Sequence, residues 1–179
     1  DGFNLNPLDY RLFIRNVTET VRRFRNHPSI ALWCARNEGF APNELEYMLA
    51  ATLAKEDRSR HYTGNSRSLN SSGSGPWRYQ YDAGWYYRSL AGGFRSEVGT
   101  PSLPTAETIR EFMAEEDTWP ISDVWYYHDW HNHRYGDKTF SELYKEGMDR
   151  KLGPSDNLDD FCRKAQLINY ESHRAIFEA

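Results

Sequence analysis

Ile30-Ala31-Leu32-Trp33-Cys34-Ala35 runs six apolar residues without alternation, and turn-forming residues bound it at either end. A strand with one wet face alternates; an unbroken apolar run needs cover on both faces, as in a parallel sheet flanked by helices. Its surroundings supply that cover. Asn6-Pro7 opens a helix on which Leu8, Leu12, Val17, Val21 and Phe24 recur at near-helical spacing, with Arg11, Arg15, Glu19, Arg22 and Arg23 between them. Asn26-His27-Pro28-Ser29 stops that helix, because proline disfavours helical backbone at the residue before it. A second amphipathic helix is expected over about 43–58, using Leu45, Met48, Leu49 and Leu53, and His61-Tyr62-Thr63 reads as a second strand.

Gly64 to Gly75 is rich in Gly, Ser and Asn and reads as loop, while Tyr79 to Tyr87 is aromatic and irregular. Gly92-Gly93-Phe94-Arg95-Ser96-Glu97-Val98-Gly99 is a short strand that ends in a carboxylate. Thr105 can cap a helix through Ile109 and Met113, with Glu107 in its favourable first turn. Trp119 to Tyr135 is dense in Trp, Tyr and His; helices follow at about 141–151 and 158–177. The order is α/β, with no internal repeat and no linker. At 179 residues the chain suits one domain but is too short for a complete eight-stranded barrel, which typically takes about 250.

Composition removes other classes. A net charge of −4 with scattered basic residues argues against binding by phosphate neutralisation, so no nucleic-acid partner is expected. No stretch approaches the roughly 18–20 apolar residues of a membrane span, and two cysteines cannot make a disulfide scaffold. No targeting segment is visible at Asp1-Gly2-Phe3-Asn4. Six Trp and twelve Tyr supply flat rings with polar edges, suited to a wet amphipathic ligand such as a sugar or to a core.

Two carboxylates, Glu38 and Glu97, each follow a strand-like run where the chain turns into loop. In α/β barrels the catalytic groups sit at such carboxyl ends, and two acids there can share glycosidic chemistry. Their contexts sharpen this. Asn26-His27-Pro28-Ser29-Ile30 through Trp33 to Asn37-Glu38 resembles the acid/base segment of glycoside hydrolase family 2, N-H-P-S-[IV]-x-x-W-x-x-x-N-E. Phe94-Arg95-Ser96-Glu97-Val98-Gly99, followed by Pro101 and Pro104, resembles its nucleophile segment, F-x-S-E-x-G. Ser74-Gly75-Pro76, Trp125-Tyr126-Tyr127-His128 and Lys164 to Glu171 are most similar to the branch holding exo-β-D-glucosaminidases and endo-β-mannosidases.

The resemblance implies a partial (β/α)8 TIM barrel, about strands 4 to 7 with flanking helices, with residues 1–179 a fragment of a catalytic barrel domain. It implies a retaining β-glycosidase acting on terminal β-linked glucosamine or mannose, with Glu38 as acid/base and Glu97 as nucleophile, about 5–5.5 Å apart. Asn37 matches the asparagine that bonds the 2-substituent of the sugar. Further substrate-binding candidates are Trp33 (sugar platform or core), Tyr62 (site or barrel rim), Tyr79 and Tyr81, and Trp125 and His128 (sugar cleft or structural loop). The family's S-G-P-Y is altered here to Gly75-Pro76-Trp77-Arg78-Tyr79. His128-Asp129-Trp130-His131-Asn132-His133 fits no standard zinc spacing, and neither metal nor cofactor is expected. Endo-β-mannosidase action on N-glycans and a non-catalytic carbohydrate-binding module are the alternatives.

Glu38 and Glu97 lie 59 positions apart, whereas three barrel units of ordinary size would take about 75–90 residues. The helices after strands 5 and 6 should therefore be missing or reduced to turns, with no long regular helix in Gly64–Gly92. A carbohydrate is the expected partner, an open sheet predicts self-association or pairing with the remaining barrel strands, and the family points to a secreted or periplasmic location.

Overall fold

The computed structural model describes residues 6–68, 75–90, 95, 97–130 and 134–179. Two compact units divide it, one of Asp1–Ser74 with Gly92–Glu97 and the other of Gly75–Ala91 with Val98–Ala179.

The first unit is a parallel β-α-β arrangement braced by an additional helix. Helix α1 (Tyr10–Phe24) starts three residues after the expected Asn6-Pro7, because Asp9 caps it by accepting from the Leu12 N–H at 2.9 Å. That start sets the phase of its buried stripe. Tyr10, Phe13, Ile14 and Val17 pack on Ala41, Leu45 and Leu49, and Val21 continues the row, whereas Leu8, Leu12 and Phe24 remain exposed. The aromatic and β-branched residues at i, i+3, i+4 and i+7, rather than the leucines, therefore form the core face.

Strand β1 (Leu32–Cys34) lies where the unbroken apolar run predicted a strand. Helix α2 (Asn43–Glu56) buries Leu45, Leu49 and Leu53, one above the other on the face of an i, i+4 row. Strand β2 (His61–Thr63) pairs parallel to β1 in the register Leu32 to His61, Trp33 to Tyr62 and Cys34 to Thr63. Polar contacts fix the end at which α2 hands over to β2. Asp57 accepts from the Trp33 indole N–H (2.8 Å), from the Ser59 N–H and hydroxyl (3.0 and 2.6 Å) and from Arg60 (2.8 Å). Arg60 also donates to the carbonyls of Ile30 and His27, fastening the segment before β1 to the segment before β2.

The second unit is helical. It contains α3 (Gly84–Leu90), α4 (Ala106–Phe112), α5 (Glu115–Thr118), α6 (Asp123–Tyr127), an antiparallel hairpin of β3 (Arg134–Tyr135) and β4 (Lys138–Thr139), α7 (Phe140–Leu152) and α8 (Leu158–Glu178). Thr105 caps α4 as expected, and a complete capping box of Thr139 and Glu142 opens α7. Along α8, Leu158, Phe161, Cys162, Ala165 and Ile168 form a buried stripe. Phe161 meets the rings of Trp119, Trp125 and Trp130 at centroid distances of 5.3, 5.9 and 5.7 Å. At the far end of α8, Ala175 packs with Tyr86 and Leu90 of α3.

Between Gly64 and Gly92 the described residues hold a single 3-10 turn, Ser66–Ser68, and the seven-residue α3. No long helix occurs there among the described residues, so the compressed spacing of the two glutamates is met by short elements. Of the strand expected at Gly92–Gly99, residues 92–94 and 96 lie outside those described, and Arg95 and Val98 with their described neighbours Glu97 and Gly99 are not in a strand. Among the described residues no helix is long and apolar enough to cross a membrane.

Candidate active site

The parallel pair continues past its last strand residues. The Ala35 N–H donates to the Thr63 carbonyl at 3.0 Å, and the Ser66 N–H donates to the Arg36 carbonyl at 3.0 Å. Two residues further, the Glu38 N–H donates to the Ser66 hydroxyl at 2.8 Å. Glu38 adopts a φ of 49°, in the left-handed region that side chains other than glycine seldom occupy. Such a backbone costs on the order of 1 kcal/mol and persists only where surrounding contacts hold it. The Ser66 hydroxyl and the turn closed by the Gly39 N–H on the Asn37 carbonyl (2.5 Å) are two such contacts.

The turn after β2 also supplies a charge. Asn65 is fully buried; its side-chain oxygen accepts from the Arg67 N–H at 3.0 Å, and its carbonyl accepts from the Thr63 hydroxyl at 2.9 Å. This shapes the turn so that Arg67 Nη2 lies 3.0 Å from Glu38 Oε2. The Glu38 side chain is only 15% exposed, and the guanidinium is the more exposed partner at 58%. Arg36 donates through Nη1 to the Phe40 carbonyl at 3.1 Å and to the Asn6 side chain at 2.8 Å.

Glu97, half-buried, belongs to the same unit. Its position is marked by Cys34 at the end of β1: desolvation raises the thiol's pKa, a contact with the Arg36 carbonyl opposes this, and the Glu97 charge adds to the rise. Glu38 therefore stands at the carboxyl end of the parallel pair as its continuation, and Glu97 lies within electrostatic reach of Cys34, the last residue of β1. Asn37, between Arg36 and Glu38, is exposed there.

The register separates the remaining candidates of this unit. Trp33 and Tyr62 are partners on one face, which is turned towards α2. The indole N–H of Trp33 is bonded to Asp57, and the Tyr62 hydroxyl donates to Glu46 Oε1 at 2.9 Å. Burial pushes the Tyr62 hydroxyl's pKa up, and the Glu46 carboxylate beside it adds to the rise. Cys34 and Thr63 occupy the opposite face by alternation. A cleft of about 430 Å³ lined by Ala50, Leu53, Asp57, Arg60 and Tyr62 among others opens on the α2 side, and neither Glu38 nor Glu97 lines it.

Tyr79, Tyr81, Trp125 and His128 belong to the second unit. Tyr79 is buried edge-on against Tyr144, with desolvation raising its hydroxyl to about 12. Trp125 is buried, with its indole N–H bonded to the Asp117 carbonyl at 3.1 Å. Tyr81 and His128 reach solvent: Arg150 lies 4.3 Å over the Tyr81 ring, and His128 stacks at 4.7 Å on Phe112. His131, Asn132 and His133 fall outside the described residues, among which no group of His, Cys, Asp and Glu is arranged to hold a metal ion. Ser66 and Arg67 are site residues that the sequence reading passed over. The one signal for them is Asn65-Ser66 directly after a strand, a turn-forming pair.

Known proteins resemble this chain over nearly all of its length. The family model described as "Glycosyl hydrolases family 2, TIM barrel domain" matches residues 4–148. The chain is 28% identical to a mannosylglycoprotein endo-β-mannosidase of Lilium longiflorum, over 96% of this chain and 22% of the relative. It is 31% identical to an exo-β-D-glucosaminidase of Streptomyces avermitilis, over 99% of this chain and 21% of the relative. Among solved structures, an exo-chitosanase of Amycolatopsis orientalis superposes with a TM-score of 0.68 at 26% identity, over 95% of this chain and 22% of that one. The chain thus spans about a fifth of the length of the curated relatives it matches.

Proposed function

The chain belongs to the TIM-barrel domain of the family 2 glycosyl hydrolases, and from that membership we propose that it carries the catalytic acids of a retaining β-glycosidase. The observation that supports this most directly is the place of Glu38 at the carboxyl end of the parallel strand pair, with Glu97 in the same compact unit and within electrostatic reach of Cys34. Glu97 is the nucleophile. Its carboxylate attacks the anomeric carbon as the glycosidic bond breaks, and Glu38 gives its proton to the departing oxygen. In the second half Glu38 takes a proton from water, the water oxygen bonds to the anomeric carbon, and the bond to Glu97 breaks. Asn37 bonds the 2-substituent of the sugar, a contact that tightens as the flattened transition state forms. The substrate is a terminal β-linked mannose or glucosamine, the sugars that the names of its relatives carry.

Aryl β-mannosides and β-glucosaminides test this in the protein that carries the segment. Glu38→Ala and Glu97→Ala should each lower kcat by about a thousandfold or more, in the range expected for loss of a positioned catalytic group. A 2-fluoro glycosyl fluoride should leave a sugar bonded to the peptide containing Glu97. Activity that survives both substitutions overturns the proposal, and a parent protein that binds these sugars without cleaving them leaves a carbohydrate-binding role.

A further inference from the structure

Arg67 gives this site a charge preference on the leaving-group side. Building on the reading of Glu38 as the acid, we propose that Arg67 selects glycosides whose leaving sugar carries no amino group. Three observations support it. First, the guanidinium is 3.0 Å from Glu38 Oε2, the carboxyl that must reach the glycosidic oxygen, so it borders the leaving sugar rather than the sugar undergoing attack. Second, its backbone is fixed beside the acid: the buried Asn65 accepts from the Arg67 N–H, and Ser66 ties the turn to Arg36 and Glu38. Third, more than half of the Arg67 side chain is exposed, so its charge is open to an arriving ligand.

The chemistry turns these positions into selection. Glu38 must carry a proton to act as an acid, and in that form it is neutral. The Arg67 guanidinium then loses the charge of its ion-pair partner when the leaving sugar is in place. A 2-amino sugar in that position brings an ammonium group onto the same ring as the departing oxygen, within about one Debye length of the guanidinium, roughly 8 Å at physiological salt. Like charges at that range in a half-enclosed site repel appreciably. An N-acetylated or hydroxylated sugar of the same shape meets no such cost. The site therefore suits neutral glycans, such as a mannose linked to N-acetylglucosamine, and disfavours runs of free glucosamine.

The test compares two disaccharides that differ in one charge, β-mannosyl-1,4-N-acetylglucosamine and β-mannosyl-1,4-glucosamine. The protein should cleave the first with about tenfold higher kcat/KM, equivalent to about 1.4 kcal/mol. Arg67→Gln should bring the two within twofold, Arg67→Lys should retain the gap, and added salt should narrow it in the parent but not in Arg67→Gln. Equal turnover of the two by the parent, or a tenfold gap that persists in Arg67→Gln, overturns the proposal. If neither sugar is cleaved, the catalytic reading falls, and calorimetry with the same pair decides the charge preference. A tenfold affinity gap erased by Arg67→Gln upholds it, and equal affinities overturn it.

Discussion

Gly147 lies in the interior of α7, where an alanine would ordinarily stabilise the helix by up to about 1 kcal/mol. The structure reverses that expectation. A Cβ built on Gly147 would stand 2.3 Å from Tyr79 Cε1 and 2.7 Å from its Cδ1, well inside any contact distance. The obstacle is the edge of a rigid ring. Tyr79 is 7% exposed and is held edge-on by Tyr144 at 5.7 Å, so it cannot step aside cheaply. Overpacking of this kind costs about 1–3 kcal/mol, which outweighs the helix gain. Gly147→Ala should therefore destabilise the second unit by about 1–2 kcal/mol net, lowering Tm by about 2–8 °C at this chain length. Denaturant and thermal unfolding measure it, and a double-mutant cycle isolates the cause. In a Tyr79→Ala background the clash is gone, and the same glycine replacement should become neutral or stabilising. A Gly147→Ala protein as stable as its parent, or one equally destabilised with and without the Tyr79 ring, would refute the reasoning.

Burial, with Asp159 adding to it, raises the Cys162 thiol to about 11 from an ordinary value near 9. The unfolded chain then releases this proton first, so the contribution is intact below about pH 9 and is lost as the pH climbs towards 11. Cys162→Ala should flatten that part of the stability profile in denaturant titrations at stepped pH; an unchanged slope would show that the thiol is not responsible. Thr139→Ala removes the hydroxyl that accepts from the Glu142 N–H at 3.2 Å and should cost about 1 kcal/mol in thermal unfolding, with Thr139→Ser restoring most of it.

The elements that could be read from the residues are those whose signal is periodic. An unbroken apolar run marked β1, and rows of Leu and Ile marked α2 and α8, because burial on one face leaves a regular trace in sequence. Helix α3 left none. Trp85, Tyr86 and Tyr87 are consecutive aromatics, yet Tyr86 alone is fully buried while Tyr87 reaches solvent, and amphipathic rings do not declare which side they bury. The same ambiguity affected α1, where Tyr10 and Phe13 took the core positions that Leu8 and Leu12 were expected to hold. At the site, Glu38 stood out because a strand-end motif is local. Arg67 did not, since its role depends on pairing across a strand boundary, and nothing in Ser66-Arg67 itself points back to Glu38.

Ser66 bonds to the Arg36 carbonyl and accepts from the Glu38 N–H, and the second of these contacts spans 28 residues of chain. The acid is consequently not the property of its own motif. A scaffold given residues 26–38 alone would inherit the carboxylate without the hydroxyl that keeps its backbone left-handed, and the side chain would relax to another direction. Any graft, circular permutation or loop redesign of this domain has to treat the end of β1 and the turn after β2 as one indivisible cassette.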